Sequence, residues 1–319
     1  MPATIDNNPP VTWLLSVKNN MPFLAETLRS IAEQTYRNHK ILAWDDCSTD
    51  GSLEELQKWI PDVIPGKIFS GKSLRLGPCL AFLVEQADTE LCARIDGDDI
   101  AVPHRLEKQV RYMLDHPEVA VLGSRMQVID ENGNELPSWA HPVDEAEINW
   151  RMRWEVKILH PTLLYRRSAI LAAGNYPDLK VEDSALWVRM ALNTKIHNHP
   201  EVLLKYRRST VSQTGTIEDW MPLNRSVAEY CAAIMFPGIT DPKRAMSLWE
   251  ATHPQQCTHP VKLRHWFDFL RVERHHRKLL GERKDYFTSS GFFKEQRWLL
   301  RTRLLNKFGL GFVRKLRFR

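Results

Sequence analysis

The sequence predicts an α/β fold, a mostly parallel sheet flanked by helices, with a helical region appended at the C-terminus. Three observations carry that expectation. Short apolar runs alternate with amphipathic helical patterns from Val11 to Leu114, as βαβ units require. Acidic clusters follow two of those runs, where parallel sheets place their ligands, beyond the carboxyl ends of the strands. Past Thr216 the composition turns helical and, after Val261, basic.

Val11–Val17 reads as a buried strand that Lys18-Asn19-Asn20 ends. Pro22 suits the first turn of a helix carrying Phe23, Leu24, Thr27, Leu28 and Ile31 on one face. A second strand, Ile41–Trp44, runs into Asp45-Asp46, and the Ser48–Ser52 cluster leads into a helix with Leu53, Leu56, Trp59 and Ile60 on one face. A third strand lies around Lys67–Phe69, followed by a helix over Pro78–Gln86. The strand Leu91–Ile95 then ends in Asp96-Gly97-Asp98-Asp99, and Pro103 opens a helix with the stripe Leu106, Val110, Met113 and Leu114. The second half is less regular. Val119–Gly123, Met126–Ile129, Leu159–Tyr165 and Val202–Tyr206 read as strands, Asn132-Gly133 as a hairpin signal, and Ser184–Leu192 as a helix.

The chain has 319 residues and a formal net charge of +5, enough for one large domain with an appendage or for two domains at roughly 100–200 residues each. Its 43% apolar and 26% charged residues argue against wholesale disorder and against collagen-like or coiled-coil arrays. No run approaches the roughly 18 apolar residues of a spanning helix. The N-terminus lacks a basic and then apolar leader, so the expected location is cytoplasmic. Five cysteines without a C-x-x-C pair disfavour a zinc knuckle or a disulfide framework.

Charge is unevenly spread. Residues 261–319 hold 17 Lys or Arg against 5 Asp or Glu, and residues 1–260 hold 27 against 34. Within Phe292–Arg319, nine cations face the single Glu295, with Trp298, Leu299, Leu304, Leu305 and Phe308 near helical spacing. That tail suits the inner face of an anionic membrane, or else it packs on the acidic body. It contains no recognisable DNA or RNA motif, so no nucleic acid partner is expected.

Asp96-Gly97-Asp98-Asp99 is the sharpest chemical signal. Carboxylates crowded at a strand exit repel each other, and hard oxygen ligands suit Mg²⁺ or Mn²⁺ bridging to a substrate diphosphate. Asp45-Asp46 can accept hydrogen bonds from a base or ribose, and Glu182-Asp183 opens a helix, where a carboxylate also serves as a cap. His160 and the tryptophans Trp139, Trp150 and Trp154 are open between site and structural roles, the latter as an acceptor platform or as core. Cys47 and Cys92 read as small fillers.

The segments Leu15-Ser16-Val17-Lys18-Asn19, Ser30–Tyr36, Asp45–Ser52, Ala93–Ile100, Arg105–Val110, His160-Pro161-Thr162, Arg166-Arg167-Ser168 and Glu182-Asp183, in this order and spacing, resemble the inverting family 2 nucleotide-sugar glycosyltransferases. The resemblance spans roughly residues 11–208. It implies the Rossmann-like glycosyltransferase A fold, with a catalytic domain over 1–215 (nucleotide-binding half about 11–100, acceptor half about 101–215) and a helical basic region over 216–319. It further implies a nucleoside pocket lined by Ser16, Val17 and Lys18, with Asp46 on base or ribose and Asp45 behind it. Asp96 and Asp98 match the motif that holds the donor ribose and a Mn²⁺ or Mg²⁺ ion, Asp99 being a further ligand, and Asp183 falls at the catalytic base. The implied partners are a nucleotide-sugar donor, UDP-sugar favoured, and a glycan or lipid-linked acceptor in cell-surface glycan synthesis. The chain departs from the pattern at Ser16, where proline is common, at Arg75, where asparagine is usual among the donor contacts, and at Ser184-Ala185. Two other readings stand beside this one: a sugar-1-phosphate nucleotidyltransferase, which wants a glycine-rich phosphate loop where Lys18-Asn19-Asn20-Met21 has none, and a binding module without turnover.

Overall fold

The computed structural model describes residues 8–138, 141–143, 148, 156, 158–191, 194–208, 221–252, 261–279 and 300–301. Trp139, Trp150, Trp154 and the tail Phe292–Arg319, apart from Leu300 and Arg301, lie outside them. The chain divides into two compact units, Met1–Glu218 and Asp219–Arg319.

The first unit begins with alternating elements: β1 (Val11–Val17), α1 (Leu24–Ala32), β2 (His39–Asp45), α2 (Ser52–Trp59), β3 (Gly66–Ser70), α3 (Leu76–Gln86) and β4 (Leu91–Arg94). It continues with β5 (Ile100–Ala101), α4 (Arg105–Asp115), β6 (Val119–Ile129), β7 (Glu135–Leu136), a 3₁₀ turn (His160–Thr162), β8 (Leu164–Arg166), α5 (Arg167–Ala172), α6 (Glu182–Met190) and β9 (Lys195–Arg207). The strands form one sheet in the order β3-β2-β1-β4-β8-β6-β9-β5, with β7 on β6. β1 to β4 are mutually parallel. Beyond β4 the sheet turns mixed: β8 is antiparallel to both β4 and β6, whereas β6 and β9 run parallel.

β1 explains why the parallel part reads as unbroken apolar sequence. Val11, Trp13, Leu15 and Val17 join the core beneath α1, α2 and α4, while Leu14 enters the opposite core with α3, α5 and α6. A strand covered on both faces needs apolar side chains at both parities. Two expectations are corrected. Val119–Gly123 and Met126–Ile129 are one strand, β6, continuous through irregularities in its pairing with β9 near Ser124 and Arg125. Leu159–Tyr165 is not a strand throughout, because Pro161 has no N–H to give a ladder. A 3₁₀ turn stands there instead, with the Thr162 hydroxyl on the Leu159 carbonyl, and pairing starts at Leu164.

Buried polar groups on α1 set where the β4 exit runs. The Thr27 hydroxyl donates to the Asp99 carbonyl at 2.7 Å, and the Ser30 hydroxyl accepts the Ala101 N–H at 3.0 Å. Gln34, fully buried just past the helix, donates to the Ser30 and Val102 carbonyls and accepts the Leu106 N–H at 3.1 Å. These bonds carry the chain from the acidic turn through β5 into α4.

The second unit holds α7 (Met221–Tyr230), α8 (Ala232–Met235), α9 (Pro242–Thr252) and α10 (Leu263–Leu279). Phe236, Leu248, Trp249, Phe269 and Val272 are buried in it. Arg244 on α9 donates to buried Asp268 on α10 at 2.8 Å. Among the described residues no helix is long and apolar enough to cross a membrane.

Gln34→Ala removes three hydrogen bonds and strands the Ser30 carbonyl and the Leu106 N–H in the interior, while the Val102 carbonyl keeps the Arg105 N–H at 2.9 Å. The expected loss is about 3 kcal/mol, the scale of stranding buried polar groups. Urea denaturation of the variant should show it as a lower midpoint at unchanged slope.

Candidate active site

The exits of β1 and β2 are stitched into one wall. Four successive N–H groups, those of Lys18, Asn19, Asn20 and Met21, donate to the side chains of Asn20, Ser48, Ser52 and Asp50 at 2.9–3.0 Å. Asn19 accepts the Thr49 N–H in return, and Asp50 also accepts the N–H and hydroxyl of Ser52. The Ser48-Thr49-Asp50-Gly51-Ser52 run therefore serves as a splice that fixes the β1 loop. The loop's donors are used internally, unlike those of a phosphate-cradling loop.

Asp46 stands at the base of this wall. It accepts the Lys18 ammonium at 2.9 Å, the Ser73 hydroxyl at 2.9 Å and the Leu74 N–H. Burial opposes its ionisation, but these three donors outweigh burial and hold the carboxyl below its ordinary range. The same contact raises the Lys18 ammonium. Asp45 is buried behind, one oxygen on the Ser48 N–H at 3.2 Å and the other without a hydrogen-bond partner. Ser16 is half-buried near Cys79, whose thiol burial pushes up to about 11. Val17 is buried in the core, and Arg75, largely exposed ahead of α3, pairs with Asp178 at 2.8 Å.

At the β4 exit a buried cation governs the acidic turn. Arg94 is 2% exposed and ion-paired with Asp96. Asp98 is half-buried, and burial together with the Asp96 charge pushes its carboxyl up to about 6. Asp99 is fully buried and turns inward, accepting the Arg207 N–H at 2.9 Å, and burial raises its carboxyl further. The Arg207 side chain donates to the Asp98, Asp130 and Glu131 carbonyls, pairs with Glu26 and lies over the Phe23 ring. Gly97 lets this turn approach the first wall, since a Cβ there would sit 2.7 Å from Asn20 Cγ.

The third cluster opens α6. Asp183 lies in the first turn, where the free N–H groups favour a carboxylate, and accepts the Ser184 N–H at 2.6 Å and hydroxyl at 3.2 Å. Burial nevertheless raises it. Glu182 is buried beside it, and burial together with the Asp183 charge pushes its carboxyl up to about 8. Both carboxyls are thus held above their ordinary range by burial, and Glu182 also by the charge of its neighbour Asp183. His160 faces Glu182 across 3.9 Å and meets the Tyr176 hydroxyl at 3.0 Å, and burial keeps the imidazole neutral. A Cβ on Gly77 would meet the Pro177 carbonyl at 2.4 Å and Glu182 Cβ at 2.9 Å, so the start of α3 abuts the start of α6. The charges of Arg94 and Asp96 act on both Glu182 and Asp183, and the acidic turn and the helix thus share one field.

Among the described residues no group of three or more His, Cys, Asp or Glu converges to cage a metal. The donor set fits a hard divalent cation held through one or two carboxylates, with water and a diphosphate completing the shell. Asp96 and Asp98 offer those oxygens, and the raised Asp98 carboxyl is the mark of negative charge that such a cation would offset. Sequence reasoning missed Arg94, Arg207, the Lys18–Ser73 clamp and the Glu182–His160–Tyr176 cluster. A signal existed for Arg94: an arginine inside the apolar run Leu91–Ile95 needs a buried counter-charge.

Residues 12–172 match the profile of glycosyl transferase family 2. The amylovoran biosynthesis glycosyltransferase AmsE of Erwinia amylovora is 33% identical over 187 residues, 58% of this chain and 70% of that protein. Among solved structures, S. aureus TarS 1–349 in complex with UDP-GlcNAc superposes with a TM-score of 0.63 at 18% identity, over 94% of this chain and 92% of that one. The mannosyltransferase PcManGT from Pyrobaculum calidifontis, in complex with GDP-Man and Mn²⁺, gives 0.57 at 17% identity over 94% and 88%. The sheet and flanking helices are those of the glycosyltransferase A fold.

The proton on Glu182 yields a stability test. Its folded carboxyl titrates near 8 against an ordinary 4.5, so between these values the folded state holds a proton that the unfolded state has lost. Stability falls as pH rises through that window. Glu182→Gln removes the penalty. Its melting temperature should match the parent at about pH 4 and exceed it at about pH 8, as differential scanning calorimetry would read.

Proposed function

Because the chain belongs to glycosyl transferase family 2, we propose that it moves a sugar from a nucleoside-diphosphate sugar to a hydroxyl acceptor in a single inverting displacement, with Mn²⁺ or Mg²⁺. The observation that carries this reading is that the Asp96–Asp99 turn and Glu182-Asp183 share one field, with the start of α6 brought against the start of α3 at Gly77. A transfer needs a proton acceptor for the attacking hydroxyl, compensation for charge on the departing diphosphate, and a wall that orients the donor.

Ser16, Val17 and Lys18 with Asp45, Asp46 and Arg75 form the donor wall in this reading, the carboxylates taking base or ribose donors. Asp96 takes the ribose, held by Arg94. Asp98 is the main metal ligand. Asp99, bonded inward to Arg207, adds charge from behind. A bound divalent cation would neutralise charge growing on the leaving diphosphate. Asp183, once ionised, accepts the acceptor's hydroxyl proton as the new glycosidic bond forms and the bond to the diphosphate breaks. Backside attack then inverts the anomeric carbon, and no protein nucleophile is needed.

The complexes of TarS with UDP-GlcNAc and of PcManGT with GDP-Man and Mn²⁺ support a nucleotide-sugar donor and a divalent ion. A UDP-sugar is the favoured donor. A relative named for amylovoran biosynthesis supports polysaccharide assembly, hence a glycan or lipid-linked acceptor met at the inner face of the cytoplasmic membrane. The internally satisfied loop at residues 18–21 disfavours nucleotidyl transfer.

A panel of nucleotide sugars with Mn²⁺ should yield nucleoside diphosphate from one donor class, and EDTA should abolish release. Asp98→Ala should do the same at saturating donor, and wild-type rates in chelated buffer would end the metal assignment. Asp183→Asn should keep donor affinity within about threefold while kcat falls by about 10²–10⁴, the worth of a placed base. NMR of the product should show the inverted anomer.

A further inference from the structure

The second unit carries a surface that the transfer chemistry does not use. On α10 the side chains exposed among the described residues are Leu263, Arg264, Phe267, Arg271, Arg274, His275 and Lys278. At about 100° per residue all seven fall within an arc of about 120°. Leu263 and Phe267, one turn apart, are 54% and 62% exposed. Both acidic residues of the helix turn the other way: Asp268 is 1% exposed and paired with Arg244, and Glu273 is 2% exposed. The outward arc thus combines two protruding apolar side chains with four permanent cations and no carboxylate. Lys262, exposed just before the helix, adds a fifth.

We propose that this arc of α10 is the surface by which the chain docks on an anionic lipid bilayer. It extends the inner-membrane location proposed above and assigns it to residues distinct from the basic tail. The division of labour follows from the chemistry. Leu263 and Phe267 enter the boundary between headgroups and acyl chains, while the long Arg and Lys side chains lay their stems along the apolar layer and keep their charges at the phosphates. Turning Asp268 and Glu273 inward removes the repulsion that a carboxylate would meet at such a surface. A nucleic acid partner would use the cations but would gain little from a protruding leucine, and an acidic protein would gain little from the phosphate-level placement of charge.

The test uses the full chain in flotation assays with vesicles of phosphatidylcholine alone and of phosphatidylcholine mixed with phosphatidylglycerol. The parent should float with the mixed vesicles and not with the neutral ones, and salt should weaken the binding. Leu263→Ser/Phe267→Ser should lower the apparent affinity about tenfold or more, and Arg271→Gln/Arg274→Gln/Lys278→Gln by about a hundredfold before screening, at roughly fivefold per cation near the surface. Both variants should keep the parent's melting temperature and its rate of nucleoside diphosphate release. If the parent binds but neither variant weakens it, the docking surface lies elsewhere and the location stands. A parent that fails to float at low salt overturns both. Binding to single-stranded DNA at equal affinity, insensitive to Leu263→Ser/Phe267→Ser, would also reject the lipid assignment.

Discussion

One buried guanidinium conditions most of the first unit. Arg94 sits where a strand lined with apolar side chains meets a turn rich in carboxylates, and without the partly exposed Asp96 this guanidinium would be left buried with its nearest counter-charge gone. Removing one member of such a pair is far costlier than never having had it. The strand cannot end differently without abandoning the acidic turn. The turn in turn fixes the loop into β5 and α4, through bonds from Thr27, Ser30 and Gln34. The same positive charge reaches Glu182 and Asp183, so the ionisation of the α6 pair is tied to β4 through space.

The topology makes that coupling possible. Four parallel strands bring β1, β2 and β4 to open at one edge, and β8, lying antiparallel beside β4, returns the chain so that His160 and α6 come back over the same edge. Residues distant in sequence therefore meet at that edge. Gly77 and Gly97 mark the two tightest meetings, and in each the missing side chain is what permits the approach. The second sheet half owes its mixed direction to β8, antiparallel to both β4 and β6, while the short hairpin at Asp130–Asn134, where Asp130 accepts the N–H groups of Asn132 and Asn134 and Gly133 takes a positive φ, adds β7 to β6.

How much was legible depended on range. β1 to β4 and the helices between them follow from local pattern, because each strand is buried on both faces and each helix on one. The acidic residues were legible as well, since three clusters at strand and helix ends are chemically conspicuous. Their partners were not. Lys18 and Ser73 lie 55 residues apart, and Asp99 and Arg207 lie 108 apart, separations at which no periodicity connects them. The 3₁₀ turn at His160–Thr162 was hidden by apolar neighbours that mimic a strand, and the unity of β6 by Ser124 and Arg125 in its middle. In the splice the reverse held: Asp50 and Ser52 look like ligand-binding residues and instead bind their own chain.

That splice has a consequence for how the molecule tolerates change. The wall at the β1 and β2 exits is stitched by bonds among residues 18–21 and 48–52 above the Asp46 contacts with Lys18, Ser73 and Leu74, so its shape is inherited from a short, local circuit. The close approach to α6 is made from α3 instead, at Gly77 against Glu182. Changes on α6 can therefore alter one side of the acidic site while the β1–β2 wall keeps its form, whereas a change within the circuit disturbs the whole wall at once.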